Sequence, residues 1–367
     1  MARSHKDGLE VITIAFTSRC NLACDHCVHD FLNRDSRQEL PVSFFIQALK
    51  EARDIGARTV NITGGEIFIR PDCLELVSAA VAMGYSVTLD SNGTLITEAN
   101  IRTLGSFRNK IRIAVSLDGI TREVHEATRG PKTFEKTIAT LKRLKTAGVP
   151  TRVNTVLLRR NLSEVPAIAR FAVDELGIGW RLLPLIMSYG KGVCACKSDG
   201  VPYEEVEKLT KGFFYPFLRE RHFPRSVSIS LNVALVPVDV GGHNLCSLGK
   251  SLIGIGPSGV ISSCHVGNNN REFIFGSLQE DSLSNIWRDN ERLKSFRNLN
   301  PDTLKGVCGN CLARAACRGG CRVHAISSYQ DFLAPDPQCQ AVYNLGKFPE
   351  HALENETRDC HYNPKVG

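Results

Sequence analysis

The sequence predicts an α/β protein in which parallel strands alternate with helices, followed by a smaller cysteine-rich region. Three observations carry this. Residues 9–186 alternate strand-like and helix-like segments. Three cysteines, Cys20, Cys24 and Cys27, lie within eight residues directly behind the first strand-like run. Seven more stand between Cys246 and Cys339 at metal-ligand spacings.

At 367 residues the chain is long for one average domain and short for three. Its 43% hydrophobic and 23% charged residues are ordinary for a globular protein with a normal core. The start is polar and the first apolar run is brief, so neither a signal peptide nor a membrane span is read there, and a cytoplasmic location is expected. Fourteen cysteines in such a chain point to metal more than to disulfides. The formal charge of +7 counts cysteine as neutral; ligating thiolates bring the folded protein closer to neutrality. No basic run with interleaved aromatics supports nucleic acid as a partner.

In order, the strand candidates are residues 11–17, 58–63, 85–90, 111–117, 152–158 and 180–186. Helical patterns lie near 42–55, 72–83, 97–106, 133–147 and 163–176, with Pro41 and Ser43 opening the first and Gly148 closing the fourth. Six such steps imply parallel strands with right-handed crossovers. An open doubly wound sheet and a partial barrel both fit, and in either the chemistry gathers at the C-terminal strand ends. Cys20 follows the first strand and so belongs to that rim. The second strand runs into Thr63-Gly-Gly-Glu66, whose glycines let backbone approach a ligand and whose glutamate can accept from an ammonium. The third ends in Asp90-Ser-Asn-Gly-Thr94 and the fourth in Ser116-Leu-Asp118. The fifth carries Arg152 and Asn154 on one face. Each is a plain turn by itself; together they surround the cysteine loop.

Cys-x3-Cys-x2-Cys after strand one, with Gly-Gly-Glu after strand two, resembles the radical S-adenosylmethionine (radical SAM) superfamily. That resemblance implies a [4Fe–4S] cluster on Cys20, Cys24 and Cys27, with the cofactor's methionine amine and carboxylate on the fourth iron. It places Glu66 and the Gly64–Gly65 backbone at the amine. Ser91, Asn92, Ser116, Asp118, Arg129 and Asn154 become cofactor contacts, and His26 lies by the adenine. Ile67 stands where the family usually has proline.

Beyond a weakly patterned bridge, with a helix expected over 203–219 and a strand over 227–235, comes the second cysteine system. Residues 251–263 read as two strands about a Pro-Ser-Gly turn, a hairpin that brings Cys246 and Cys264 together. Cys308-x2-Cys311-x5-Cys317-x3-Cys321 follows, then Cys339. These spacings suit zinc ribbons about as well as iron–sulfur clusters. The order, with Gly259 between, is similar to the SPASM domain appended to many radical SAM enzymes. By that resemblance Cys308, Cys311, Cys317 and Cys339 hold one auxiliary cluster and Cys246, Cys264 and Cys321 another, the latter lacking a fourth cysteine unless Cys194, Cys196, His243 or Cys360 supplies a ligand.

The expected architecture is therefore a partial (β/α)6 TIM-like barrel over 9–190, a bridge over 191–245, a small SPASM domain with a β-hairpin over 246–345, and a tail over 346–367. The expected cofactors are three [4Fe–4S] clusters and S-adenosylmethionine, fed by an external one-electron reductant. The expected activity is reductive cleavage of that cofactor and hydrogen abstraction from a peptide, leading to a cross-link or an oxidised residue. A sugar or tetrapyrrole substrate is the alternative, and a non-catalytic iron–sulfur or zinc protein the reading from another class. Cys194 and Cys196 are candidate hydrogen donors to a substrate radical. Strand one begins too early to leave room for an N-terminal leader-binding domain, which lowers the peptide reading without removing it.

Overall fold

A computed structural model describes residues 8–28, 39–185, 191–192, 198–222, 224–230, 249–354 and 362. Its sheet has ten strands: β1 (Val11–Thr17), β2 (Thr59–Gly64), β3 (Ser86–Ser91), β4 (Ile111–Ser116), β5 (Thr151–Val156), β6 (Gly179–Leu183), β7 (Val227–Ile229), β8 (Leu252–Ile255), β9 (Val260–Ser262) and β10 (Ile274–Ser277). The order is β10-β9-β8-β1-β2-β3-β4-β5-β6-β7.

Strands β1 to β7 are parallel and follow one another in sequence order. A doubly wound sheet reverses direction at a switch point; this one does not, so the crossovers all pass over one face, as in a barrel. The partial-barrel expectation therefore holds. The crossover helices are α1 (Val42–Asp54), α2 (Cys73–Ala82), α3 (Glu98–Ser106), α4 (Arg122–Arg129), α5 (Phe134–Thr146) and α6 (Val165–Arg170), the last running on through a wider π turn at Phe171–Glu175. Alternation within the strands sorts their faces. Ile113, Val115 and Val153 are fully buried in the main core. Arg112, Arg152 and Asn154 point the other way, into the barrel.

Two features depart from the sequence reading. Helix α4 lies where no helix was expected, although its signals are present: Thr121 caps it by accepting from Val124 N, and Gly130 ends it at φ 98°. The hairpin β8–β9 forms about Gly256–Gly259 as expected, but it does not stand apart. Strand β8 pairs in parallel with β1, Val11 opposite Leu252 through Ile14 opposite Ile255. The strand that leads into Cys20 is thus hydrogen-bonded along both edges. Gly259 is needed at the turn, since its φ is +83° and a Cβ there would fall 2.4 Å from Leu40 Cδ1.

The core divides accordingly. Residues of β8–β10 and of the helices Leu283–Asp289 and Glu291–Arg297 pack into the barrel's own core, with Cys264 and Cys321 against it. A second core gathers Leu304, Val307, Cys308, Cys311, Cys339, Val342, Phe348 and Ala352.

Candidate active site and cluster sites

The cysteine loop leaves β1 through Thr17–Arg19 and is clamped at its root. Glu39 Oε1 accepts from Thr17 Oγ1 (2.6 Å), Ser18 N (2.7 Å) and Ser18 Oγ (2.9 Å). Buried Arg70 donates to the carbonyls of Phe16 and Leu40, both at 3.1 Å, and lies over the Phe16 ring. The Gly64–Gly65 pair closes the other side. Gly65 N donates to Thr17 O and Glu66 N to Arg19 O, each at 2.9 Å. A Cβ on Gly64 would fall 2.6 Å from Thr17 O, and one on Gly65 2.0 Å from Arg19 O. The two glycines let the end of β2 lie directly on the cysteine loop. The N–H groups of Gly65 and Glu66 serve that contact, and carbonyl oxygens are what remains for a ligand.

Glu66 is fully buried. It accepts from Asn92 N (2.8 Å), Ser91 Oγ (2.9 Å) and Phe68 N (3.2 Å). Burial pushes its carboxyl up from the usual range, against those three donors. Asn92 also reaches the cysteine loop, its Nδ2 donating to Asn21 Oδ1 (2.9 Å), while Asn21 Nδ2 donates to Thr94 Oγ1 (2.9 Å). Neither Asn21 nor Thr94 was singled out in the sequence, though both lie inside motifs that were.

Asp118 and Arg129 form the third wall. Arg129 Nε donates to Asp118 Oδ2 at 2.6 Å and its Nη1 approaches Cys24 Sγ at 3.9 Å. Asp118, fully buried, also accepts from Val156 N at 2.8 Å and faces His26 Nε2 at 3.7 Å. Despite burial, the guanidinium holds this carboxyl below its ordinary range. Burial lowers His26 to about 4, Asp118 opposing, so the ring is neutral at physiological pH. Asp118 thus orients Arg129 more than it presents an open acceptor. Ser116 ends β4 in register with Asn154 on β5, whose Nδ2 donates to Asp90 Oδ1 at 3.3 Å.

The loop's thiols have the surroundings of cluster ligands. Leu22 N donates to Cys20 Sγ at 3.4 Å, and burial raises that thiol to about 11 with Cys24 and Cys27 close enough to add to the rise. Further on, Cys308, Cys311, Cys317 and Cys339 line one cavity with Asp336 and Phe348. Asp336 N donates to Cys308 Sγ at 3.3 Å, and its carboxylate accepts from Cys339 N and Cys321 N, each at 3.3 Å. No local sequence signal marks that role. Cys264 has its backbone against Gly254 of β8. Among the described residues no group of three His, Cys, Asp or Glu side chains stands around a single ion position. A cubane places its thiolates on different irons, so they need not converge on one atom. None of the ten described cysteines is in a disulfide, and one of them, Cys73, is buried on α2 as a packing residue. Cys194, Cys196, Cys246, Cys360 and His243 lie outside the described residues.

A family model for the radical SAM superfamily matches residues 14–172, and one for an iron–sulfur cluster-binding domain matches 246–312. The chain belongs to the radical SAM superfamily and carries a SPASM-type C-terminal region. It is an enzyme of that class, and the family implies iron–sulfur and S-adenosylmethionine binding. Among similar proteins, an AdoMet-dependent heme synthase of Methanosarcina barkeri is 27% identical over 355 residues, covering 92% of this chain and 97% of the relative. Mycofactocin maturase MftC of Mycolicibacterium smegmatis is 29% identical over 332 residues, covering 89% and 82%. The crystal structure of Streptococcus suis SuiB bound to the precursor peptide SuiA superposes with a TM-score of 0.74 at 18% identity, covering 90% and 75%. That last likeness establishes the shared fold of this radical SAM chain. Among the described residues no helix is long and apolar enough to cross a membrane.

Proposed function

We propose that this radical SAM enzyme modifies a peptide, forming a cross-link or an oxidised residue, and that it carries three [4Fe–4S] clusters. The observation that carries the chemistry is the meeting, at one rim, of the Cys20–Cys27 loop with Glu66 and with the Asp118–Arg129 pair. Cys20, Cys24 and Cys27 would hold the first cluster. Cys308, Cys311, Cys317 and Cys339 would hold one auxiliary cluster, and Cys246, Cys264 and Cys321 the other. When bound, the first cluster and S-adenosylmethionine supply a 5′-deoxyadenosyl radical after one-electron reduction by an external partner.

The chain's own residues position and shield. A carboxylate offers about four acceptor positions, and Glu66 uses three on Asn92, Ser91 and Phe68. The remaining lone pair, with the carbonyls of the Gly64–Gly65 turn, suits a methionine ammonium. Arg129 spends its Nε on Asp118, leaving the rest of its fork for Cys24 and a carboxylate. Ser116 and Asn154 lie side by side where a ribose would sit, and neutral His26 offers a flat face for adenine. Fixed geometry of this kind is the protein's share of catalysis in a cofactor enzyme. Cys194 and Cys196 are candidates for returning hydrogen to a substrate radical.

The peptide reading draws on the SuiB complex with its precursor peptide and on the maturase relative. A small-molecule reading has its own support, because the heme synthase relative is matched along 97% of its length. Anaerobic analysis of the reconstituted protein should give about twelve irons and twelve sulfides per chain for three cubanes. A value near four of each would remove the auxiliary clusters. Mass spectrometry of candidate precursor peptides after turnover tests the substrate: loss of two hydrogens from a peptide supports the reading, and turnover confined to a tetrapyrrole or sugar replaces it.

A further inference from the structure

Buried Asp336 stands between the two sets of cysteines proposed for the auxiliary clusters, and its two carboxylate oxygens serve different sets. Oδ1 accepts from Gln338 N (3.0 Å) and Cys339 N (3.3 Å), which caps the helix Pro337–Asn344. Oδ2 accepts from Cys321 N (3.3 Å), at the start of the helix Arg322–Tyr329. The Asp336 N–H donates to Cys308 Sγ (3.3 Å). One residue therefore touches Cys308 and Cys339, proposed for one cluster, and Cys321, proposed for the other.

The chain around it is shaped for this contact. Buried Arg322 donates to Phe332 O (2.9 Å), Ala334 O (2.6 Å) and Gly319 O. Those bonds hold residues 332–334 beside the Gly319–Gly320 turn, and so bring Asp336 to Cys321. Gly320, at φ +69°, leaves the room: a Cβ there would fall 2.4 Å from Asp336 Oδ2. Helix capping alone does not account for an acid here, because asparagine caps as well as aspartate. Nor is the acid free of cost. Burial raises the thiols of Cys308, Cys317 and Cys339, and the charge on Asp336 adds to that rise. What an amide cannot do is accept on both sides. It has one oxygen, and the NH2 group in place of the other cannot accept from Cys321 N.

We propose that Asp336 is a positioning residue shared by the two auxiliary clusters, fixing Cys308 and Cys339 on one side and Cys321 on the other, so that a change at this one side chain reaches both. The inference rests on the three-cluster reading above. Iron–sulfur centres respond to nearby charge and to hydrogen bonds at their sulfurs, which gives the role a readout apart from stability. The test compares the anaerobic holoenzyme with Asp336→Asn and Gly320→Ala by iron content, hydrogen exchange and EPR-monitored redox titration. Asp336→Asn keeps the cap, so residues 337–344 should keep their exchange protection. It loses the charge and the Cys321 contact, so the EPR signals of both auxiliary clusters should change, and the midpoint potential of the cluster on Cys308 and Cys339 should rise. The signal of the Cys20–Cys27 cluster should stay as it is. Gly320→Ala keeps the charge but displaces Oδ2 from Cys321 N, and should alter the signal of the cluster on Cys321. Unchanged auxiliary signals in Asp336→Asn, the result for a residue that only caps a helix, would overturn the shared role. So would a change at one auxiliary cluster alone, or an unaltered Cys321 cluster in Gly320→Ala. The reading beneath it fails differently. About eight irons or fewer in the wild-type protein removes an auxiliary cluster before any variant is made, and the shared role with it. About twelve irons with unchanged variants leaves the three clusters standing and sinks the inference alone.

Discussion

The two described cysteine regions are built on opposite plans. The first loop gathers its three cysteines in eight residues and is supported by side chains that have other structural work: Glu39, Arg70, Glu66, Asn92 and Asp118 hold it to strands that would stand without it. The second system spreads its four cavity-lining cysteines over residues 308–339: Cys308, Cys317 and Cys339 on the short helices Gly306–Gly309, Arg314–Cys317 and Pro337–Asn344, and Cys311 at a bridge to Leu353. Three of the eight buried residues in its core are themselves cysteines. So small an apolar core contributes little by itself, and small scaffolds of that kind need a metal or disulfide staple. A cluster held in the first place would serve chemistry; one held in the second would also be its core.

The sharpest way to break this comparison is to delete ligands from each. Cys24→Ala should abolish reductive cleavage of S-adenosylmethionine while leaving the thermal unfolding midpoint of the barrel nearly unchanged. Cys308→Ala should cost the ordered state of residues 304–354. Hydrogen exchange by mass spectrometry reads both, and a barrel that loses protection in Cys24→Ala would show the plans are not different. Iron removal by an anaerobic chelator comes next. Amides of 304–354 should lose protection while β2–β6 keep theirs; uniform loss across the chain would contradict a separate second core.

Asp118→Ala is a smaller effect. It strands buried Arg129 and the Val156 N–H, and breaking such a pair costs about 3–5 kcal/mol. Denaturant unfolding measures the loss. Asp118→Asn should recover part of the stability but not the hold on Arg129, so affinity for S-adenosylmethionine should stay weakened. Gly65→Ala is expected to cost about 1–3 kcal/mol through overpacking on Arg19 O. Its Fe–S absorption after reconstitution should fall more than its stability, because the clash lies on the cysteine loop. The smallest change is Asn21→Ala, which removes two partly exposed hydrogen bonds at about 1 kcal/mol or less each.

Much of the first region was legible in the sequence because its signals are local. Strand periodicity, the three-cysteine spacing and the Gly-Gly-Glu turn each lie within a few residues. Their meeting at one rim follows from parallel topology alone. What was not legible depends on partners far apart in the chain. The parallel pairing of β8 with β1 joins residues about 240 positions apart, a distance at which no periodicity reports. Asp336 caps the helix that begins at Pro337, and nothing local marks its reach to Cys308 and Cys321. Arg152 shares a face of β5 with Asn154, as the sequence suggests; that it lies by Asp90 of β3 and Arg181 of β6 depends on strand neighbours no local pattern reports. Helix α4 is different, since its signals, Thr121 and Gly130, are local to the sequence.

The two-sided bonding of β1 bears on how this protein can be taken apart. A fragment ending before residue 250 would leave the edge of β1 that faces Leu252–Ile255 bare, with its amides and carbonyls open to the next molecule. Such a fragment is expected to associate edge to edge. Exchange of auxiliary regions between relatives would therefore succeed with a junction after β10, near residue 278, and fail with one at the start of the second cysteine system. The seam along which the chain can be recombined lies inside what looks like its second module.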